Sequence, residues 1–282
     1  KTPTRGSLGN SHMACMADFS FEMSGLWRST SGEDLADPMN SVKAELPVST
    51  LRKLFPTRYK ENPMSLQEQL STLKAQTIAN LPEELAAVMV DETEKLTASG
   101  IVALAPKPGD IFEDFTLPNH LGEKRSLAAL RERGPVVVTF YRGGWCPYCN
   151  LELRAYQAVL PEIKAAGATL VAITPELPDA SLSTSEKNEL EFDVLTDANA
   201  DYARKLGLVF TLPETLRPIY QGLGINIEEH NGEGQFDLSL AATFLVDTDG
   251  TIASAFVDAD YTSRAEPSHV VEELQSLVRQ NA

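Results

Sequence analysis

Two cysteines three positions apart, Cys146 and Cys149, follow the apolar run Val136 to Tyr141 and a Gly143-Gly144-Trp145 break, with Pro147 between them. An apolar run that stops at glycines and resumes at a proline reads as a strand feeding the first turn of a helix. That placement constrains both fold and chemistry. Helix starts leave amide N–H groups without partners and concentrate partial positive charge, so a thiol there ionises more readily and becomes a nucleophile. A second cysteine one turn away is a side-chain neighbour, close to the Cβ separation of about 3.5–4.5 Å that a disulfide requires. The pair is expected to cycle between dithiol and disulfide. The surrounding Gly143, Gly144 and Pro147 are expected to leave it partly exposed.

A structural zinc site is the first competitor, because two cysteines at this spacing are half of a four-ligand set. The remaining cysteine, Cys15, lies in a stretch without periodicity, and His12, His120, His230 and His269 are scattered with no ligand-like pair. The inventory therefore argues against zinc, and no cofactor is expected.

The chain of 282 residues is 43% hydrophobic and has no apolar run approaching the roughly 20 residues that span a bilayer. Three cysteines are too few for a disulfide-stapled secreted scaffold, and a lone Cys-x-x-Cys beside a strand–helix pattern points to a reducing compartment. The cytosol is expected, or an organelle if the early residues include a transit peptide. A formal net charge of −16 repels phosphate backbones and anionic bilayers, so neither nucleic acid nor membrane is an expected partner.

The charge is unevenly placed. Residues 1–63 carry eight Lys or Arg against seven Asp or Glu, so the acidity resides in residues 64–282. The early stretch is rich in Ser, Thr, Gly, Pro and Met without periodicity, and is expected to be a disordered leader or an appended expression segment. Residues 64–104 read as a helical extension. Ser65 and Glu68 form a capping box ahead of Leu66, Leu70 and Leu73, then Pro82 sits in the first turn of a second helix that Gly100 stops.

From residue 105 to the end, strands and helices alternate. Strands are expected at Val136–Tyr141, Ala168–Thr174 and Phe192–Leu195, with helices at Cys149–Ala166 and Ser183–Leu190, the latter capped by Ser183 and Glu186. This βαβ rhythm implies a parallel core. Asp197 is a cap for a helix ending at Gly207, Asp247 to Gly250 form a hairpin turn between Thr243–Val246 and Thr251–Phe256, and Pro267–Gln280 is an amphipathic helix.

The run Gly109-Asp110-Ile111-Phe112-Glu113-Asp114-Phe115-Thr116-Leu117-Pro118 resembles the opening of peroxiredoxins. Phe192 to Asp197 and Thr243 to Gly250 resemble later peroxiredoxin segments. Arg142-Gly143-Gly144-Trp145-Cys146-Pro147-Tyr148-Cys149 and Asp260 to Pro267 resemble the peroxiredoxin-like branch of the alkyl hydroperoxide reductase and thiol-specific antioxidant superfamily. The resemblance implies an α/β, thioredoxin-like fold, a central mixed sheet flanked by helices, with the N-terminal helical extension added. It also implies a thiol peroxidase that acts on hydrogen peroxide or alkyl hydroperoxides.

Departures from the family pattern are specific. Laying Pro-x-x-x-Thr-x-x-Cys on this chain puts the peroxidatic cysteine on Cys149, the peroxide-orienting Thr on Cys146 and the Pro on Arg142. The family's thiolate-stabilising Arg falls on Ala241, and thioredoxin's cis-proline on Ala242.

The favoured cycle has the Cys149 thiolate attack the peroxide to form a sulfenic acid, with which Cys146 condenses. Thioredoxin, or glutaredoxin with glutathione, then reopens the disulfide. Helix geometry equally permits Cys146, as N-cap ahead of Pro147, to be the attacking thiol. Arg142 is a candidate cationic neighbour, Trp145, Pro147 and Tyr148 are candidate walls, and Arg264 with Glu266 reads as an exposed ion pair. A homodimer is an open expectation. A general thiol–disulfide oxidoreductase and a non-enzymatic redox-sensing or zinc-holding protein are the alternative functions.

Overall fold

A computed structural model describes residues 64–281; the expected leader, 1–63, and Cys15 lie outside the described residues. Two helices open it, α1 (Leu66–Asn80) and α2 (Glu83–Ala98). The Ser65 side chain accepts from the Glu68 amide while the Glu68 carboxylate accepts from the Ser65 amide, so the capping box is formed. Pro82 is the N-cap of α2 rather than a first-turn residue, and Gly100, at φ +75°, turns the chain into a short 3₁₀ segment, Ile101–Leu104.

A small antiparallel pair, β1 (Thr116–Pro118) and β2 (Lys124–Ser126), precedes the short helix α3 (Leu127–Arg131) and the strand β3 (Val136–Phe140). After β3 come α4 (Pro147–Ala165), β4 (Thr169–Thr174), α5 (Pro178–Lys187), β5 (Asp193–Thr196) and α6 (Asp201–Lys205). The chain continues through β6 (Val209–Thr211), α7 (Arg217–Gly222), α8 (Ile227–Asn231) and β7 (Asp237–Ser239). It closes with β8 (Ala241–Val246), β9 (Ile252–Asp258) and α9 (Pro267–Gln280).

The central sheet has the order β5-β4-β3-β8-β9. β3, β4 and β5 run parallel, whereas β8 pairs antiparallel with both β3 and β9, so the expected parallel core is one side of a mixed sheet, from the β5 edge to the central β3. β3 is buried on both faces, which is why it reads as an unbroken apolar run rather than an alternating one. Val136, Val138 and Phe140 enter one core with Phe112, Phe115, Tyr202 and Phe244. Val137 and Leu245 enter the other, built with α4, α1 and α9 through Tyr156, Leu153, Leu70 and Leu274. A third apolar cluster joins Leu212, Ile219, Tyr220 and Leu238 to Leu85, Val88 and Met89 of α2 and to Trp145.

One local expectation fails and another holds. The helix assigned to Ser183–Leu190 starts five residues earlier, at Pro178, with no side-chain cap; Ser183 is therefore inside it rather than at its start. Pro178 is the better start signal, since proline fits the first helical turn. Asp197 does bind the amides of Tyr202 and Ala203 at 2.8 Å each, satisfying the start of α6.

The helical pair is fastened from a single loop. Glu266 accepts from the Leu66 and Gln67 amides at 3.3 and 3.1 Å, and Lys74 pairs with Asp260 at 2.8 Å. Replacing Glu266 with Ala removes the carboxylate from the start of α1 and is expected to lower stability by about 1 kcal/mol. Urea unfolding measures the loss, and amide exchange is expected to rise in residues 66–73 before it rises in α4.

Candidate active site

The site is built where β3 gives way to α4. Gly143 has φ +152°, and a Cβ on Gly144 would stand 1.8 Å from Thr184 Oγ1, so only glycine lets α5 approach this turn so closely. Asn150 holds the turn from within α4: its amide donates to Gly144 O at 2.7 Å and accepts from Asn188 at 2.8 Å. Cys146 is the N-cap of α4 and Pro147 the first helical residue. Cys149 stands one turn along.

Both sulfurs are fully buried, each at 0% exposure. The expected partial exposure is wrong because the glycines admit neighbours instead of solvent. Tyr148 packs edge-on to Tyr261 and reaches Thr77 of α1, its hydroxyl 3.4 Å from Thr77 Oγ1, while half-buried Trp145 joins the third cluster under α2. Pro147 is half-buried beside them.

Two guanidinium groups meet the dithiol. Arg142 Nη2 donates to Cys146 Sγ at 3.4 Å, and Arg264 Nη2 to Cys149 Sγ at 3.3 Å. The two cations differ in their other partners. Arg264 is not in the exposed pair with Glu266; it is 4% exposed and donates from Nε to Glu152 at 2.7 Å, with Nη1 on the carbonyls of Tyr261 and Ser263. Burial selects Glu152 as its partner because a buried carboxylate needs a charged donor, whereas Glu266 is occupied at the start of α1. Arg264 supplies a guanidinium to Cys149 from the loop after β9.

Arg142, also 4% exposed, has no salt bridge among the described residues. Its ring partners are Tyr261, centred 4.1 Å away, and Trp145 at 5.1 Å, and Nη1 donates to the Tyr220 hydroxyl at 3.1 Å. A buried guanidinium without a carboxylate demands another anion nearby, because desolvating an unpaired charge costs several kcal/mol. The adjacent sulfur of Cys146 is the group able to become one.

Electrostatics follow this asymmetry. Burial alone pushes the Cys146 thiol up, but the hydrogen bond from Cys149 and the charges of Arg142 and Arg264 outweigh it and hold the thiol well below its usual range. Cys149 goes well above its usual range, through burial and then through its neighbour's negative charge. The two shifts run in opposite directions, so negative charge is favoured on Cys146 over Cys149. Burial also raises Glu152 from 4.5 to about 7, against the opposing pull of Arg264 and Thr139.

Residues 108–255 match the family model of the AhpC/TSA family, just over half of the chain. The chain belongs to the AhpC/TSA family. Among curated relatives, Peroxiredoxin Bcp of Escherichia coli K12 is 27% identical over 152 residues, covering 54% of this chain and 86% of that protein. Among solved structures, a mutant of peroxiredoxin 6 of Arenicola marina aligns with a TM-score of 0.50 at 16% identity, covering 61% of this chain and 74% of that one. Peroxidoxin BcpB of Mycobacterium tuberculosis aligns with a TM-score of 0.49 at 23% identity, over 62% of this chain and 98% of that one. The AhpC/TSA match ends before Arg264, and α1 and α2 precede it.

The AhpC/TSA frame thus carries Arg142, Trp145, Cys146, Pro147, Tyr148 and Cys149 in one turn, as their adjacency in sequence requires. Glu152, Tyr220, Tyr261 and Glu176 were not anticipated as site residues. Glu176 is fully buried, 3.4 Å from the Tyr141 hydroxyl and 3.1 Å from His230 Nδ1. Two of them left a signal in sequence: Glu152, three residues after Cys149, shares that cysteine's helix face, and Tyr261 lies in the Asp260–Pro267 run.

The raised Glu152 implies a pH-dependent stability of defined sign. The folded protein binds the proton more tightly than the unfolded chain, so this group's contribution is fully present below about pH 4.5 and is lost as pH rises to about 7. Glu152→Gln is expected to flatten the fall of unfolding free energy across that window, measured by urea unfolding at stepped pH. Removing only the cation, with Arg264→Met, leaves Glu152 buried and unpaired and is expected to cost roughly 3–5 kcal/mol. The double change to Met at both positions is expected to recover most of that loss.

Proposed function

We propose that this protein is a thiol peroxidase that reduces hydroperoxides through a Cys146/Cys149 dithiol–disulfide cycle. One observation carries the reading: within an AhpC/TSA fold, a buried dithiol sits at a helix start between two guanidiniums, one of which has no carboxylate of its own. The curated relatives that bear the name peroxiredoxin support the same class of activity.

Cys146 is the better candidate for the attacking sulfur. Its thiolate bonds to the terminal oxygen of the hydroperoxide, the O–O bond breaks, and the electron pair leaves with the alkoxide oxygen. Sulfur is oxidised to sulfenic acid and the peroxide reduced to alcohol, with the Cys149 thiol as the proton source. The Cys149 thiolate then attacks the sulfenic sulfur, forming the S–S bond and expelling hydroxide, which solvent protonates. An external dithiol, thioredoxin or glutaredoxin with glutathione, restores the pair by exchange. A reducing compartment such as the cytosol suits that cycle, and among the described residues no helix is long and apolar enough to cross a membrane.

Stopped-flow oxidation of the cysteine variants tests the assignment. Cys149→Ser, which keeps a hydroxyl proton in place, is expected to keep the fast phase and accumulate a sulfenic acid trappable on Cys146, whereas Cys146→Ser removes the attacking sulfur and is expected to lose the fast phase. The opposite pattern names Cys149 as the attacker. Equal sluggishness in both variants and in the unaltered protein removes the peroxidase reading.

A second reading rests on Cys146 as N-cap directly before Pro147, an arrangement that also suits exchange with protein disulfides. Reduction of insulin without peroxide turnover would select a general thiol–disulfide oxidoreductase.

A further inference from the structure

The peroxidase reading leaves a chemical gap. The turn from Arg142 to Cys149 carries one hydroxyl, that of Tyr148, and it is directed to Thr77 of α1 rather than to the reacting sulfur. A hydroxyl arrives from elsewhere in the chain. Tyr220 lies on α7, 74 positions after Cys146, and is 3% exposed. Its ring packs on Trp145 with centroids 5.8 Å apart, and its oxygen accepts from Arg142 Nη1 at 3.1 Å. The other terminal nitrogen of the same guanidinium, Nη2, donates to Cys146 Sγ at 3.4 Å. One planar fork therefore holds a phenol oxygen and the reactive sulfur side by side.

The phenol also has a proton to give. A tyrosine hydroxyl both donates and accepts, and Arg142, which has only donors, uses the accepting side. No hydrogen bond donated by the Tyr220 hydroxyl is formed among the described residues. The rings of Trp145 and Tyr261 fix the guanidinium, and Ile219 and Leu216 fix α7 in the third cluster, so the hydroxyl is held rather than loosely placed.

Resting on the peroxidase reading, we propose that Tyr220 is a catalytic residue that binds the leaving oxygen of the hydroperoxide and protonates it. As the Cys146 thiolate bonds to the terminal oxygen and the O–O bond breaks, the departing alkoxide takes the Tyr220 proton and leaves as alcohol. The tyrosinate, beside Arg142, regains a proton from the Cys149 thiol. Cys149 is thereby left as the thiolate that closes the disulfide, and the two electrons lost by sulfur are those gained by the peroxide. The assignment gives the segment between β6 and β7 a chemical task that no motif in it announces.

The test compares two reactions of the same sulfur in Tyr220→Phe: oxidation by cumene hydroperoxide and alkylation by iodoacetamide, which needs the thiolate but no departing oxygen. The peroxide rate is expected to fall about 100-fold, with the alkylation rate and its pH profile unchanged within about threefold. Fluorotyrosine at position 220, which keeps the ring and the hydroxyl, is expected to retain the peroxide rate. A parallel fall of both rates would reduce Tyr220 to a positioning residue for Arg142 and overturn the proposal. So would an unchanged peroxide rate in Tyr220→Phe, or an equal loss in the fluorotyrosine protein. If the unaltered protein alkylates rapidly but does not react with the peroxide, the peroxidase reading itself has failed, and this assignment with it.

Discussion

A buried guanidinium with no carboxylate partner among the described residues is the constraint on which the site depends. Arg142 is as buried as Arg264, yet Arg264 spends its charge on Glu152 and Arg142 does not. Aromatic faces attract a cation by about 1–2 kcal/mol when desolvated, less than the several kcal/mol that burial of the charge costs. The balance closes when Cys146 ionises, because a thiolate 3.4 Å away is the missing counter-charge. The downward shift of the Cys146 thiol therefore has the adjacent Arg142 among its causes. Arg264 already has Glu152 as its partner, and its charge does not outweigh the burial and the neighbouring sulfur that raise Cys149.

The sheet explains how such distant groups converge. β3 delivers Arg142 and the cysteines at its C-terminal end, between parallel β4 and antiparallel β8. Connections at that end of the sheet are where open α/β folds gather ligand-binding groups. The loop after β9 brings Tyr261 and Arg264 to the same rim, and the connection from β6 to β7 brings Tyr220. Below the rim, Thr139, Thr243 and Tyr156 close a small buried hydroxyl cluster with contacts of 3.0–3.3 Å. It leaves the polar groups of that layer satisfied within a well-packed interior.

Local signals were legible and long-range ones were not. Pro267 to Gln280 was readable to the residue, because a proline start and a strong apolar stripe bound it. The Ser65–Glu68 box was readable because both partners lie within four residues. α5 was misplaced because Ser183 and Glu186 imitate a capping box inside a helix that Pro178 had already begun. β6, β7, α7 and α8 have three to six residues each, too few to display a period, and their burial comes from α2 and Trp145. Spacing around the cysteines could announce redox chemistry. It could not announce Arg264, 115 positions beyond Cys149, or distinguish Glu152 from Glu266 as its partner.

Burial of the dithiol turns the helical extension into part of the chemistry. A small peroxide needs only a narrow breach, but exchange with a protein dithiol needs sulfur to approach sulfur in line, so the cover over Cys146 and Cys149 has to open. α1 bears on that cover through Thr77 and Tyr148, and α2 through the cluster that holds Trp145. The polar fastenings of α1 fall on Asp260 and Glu266, in or beside the loop whose Arg264 touches Cys149. In the proposed cycle, oxidation removes the negative charge at sulfur that Arg142 and Arg264 face. The Lys74–Asp260 pair is partly solvated and worth little by itself. The cover therefore rests mainly on apolar packing.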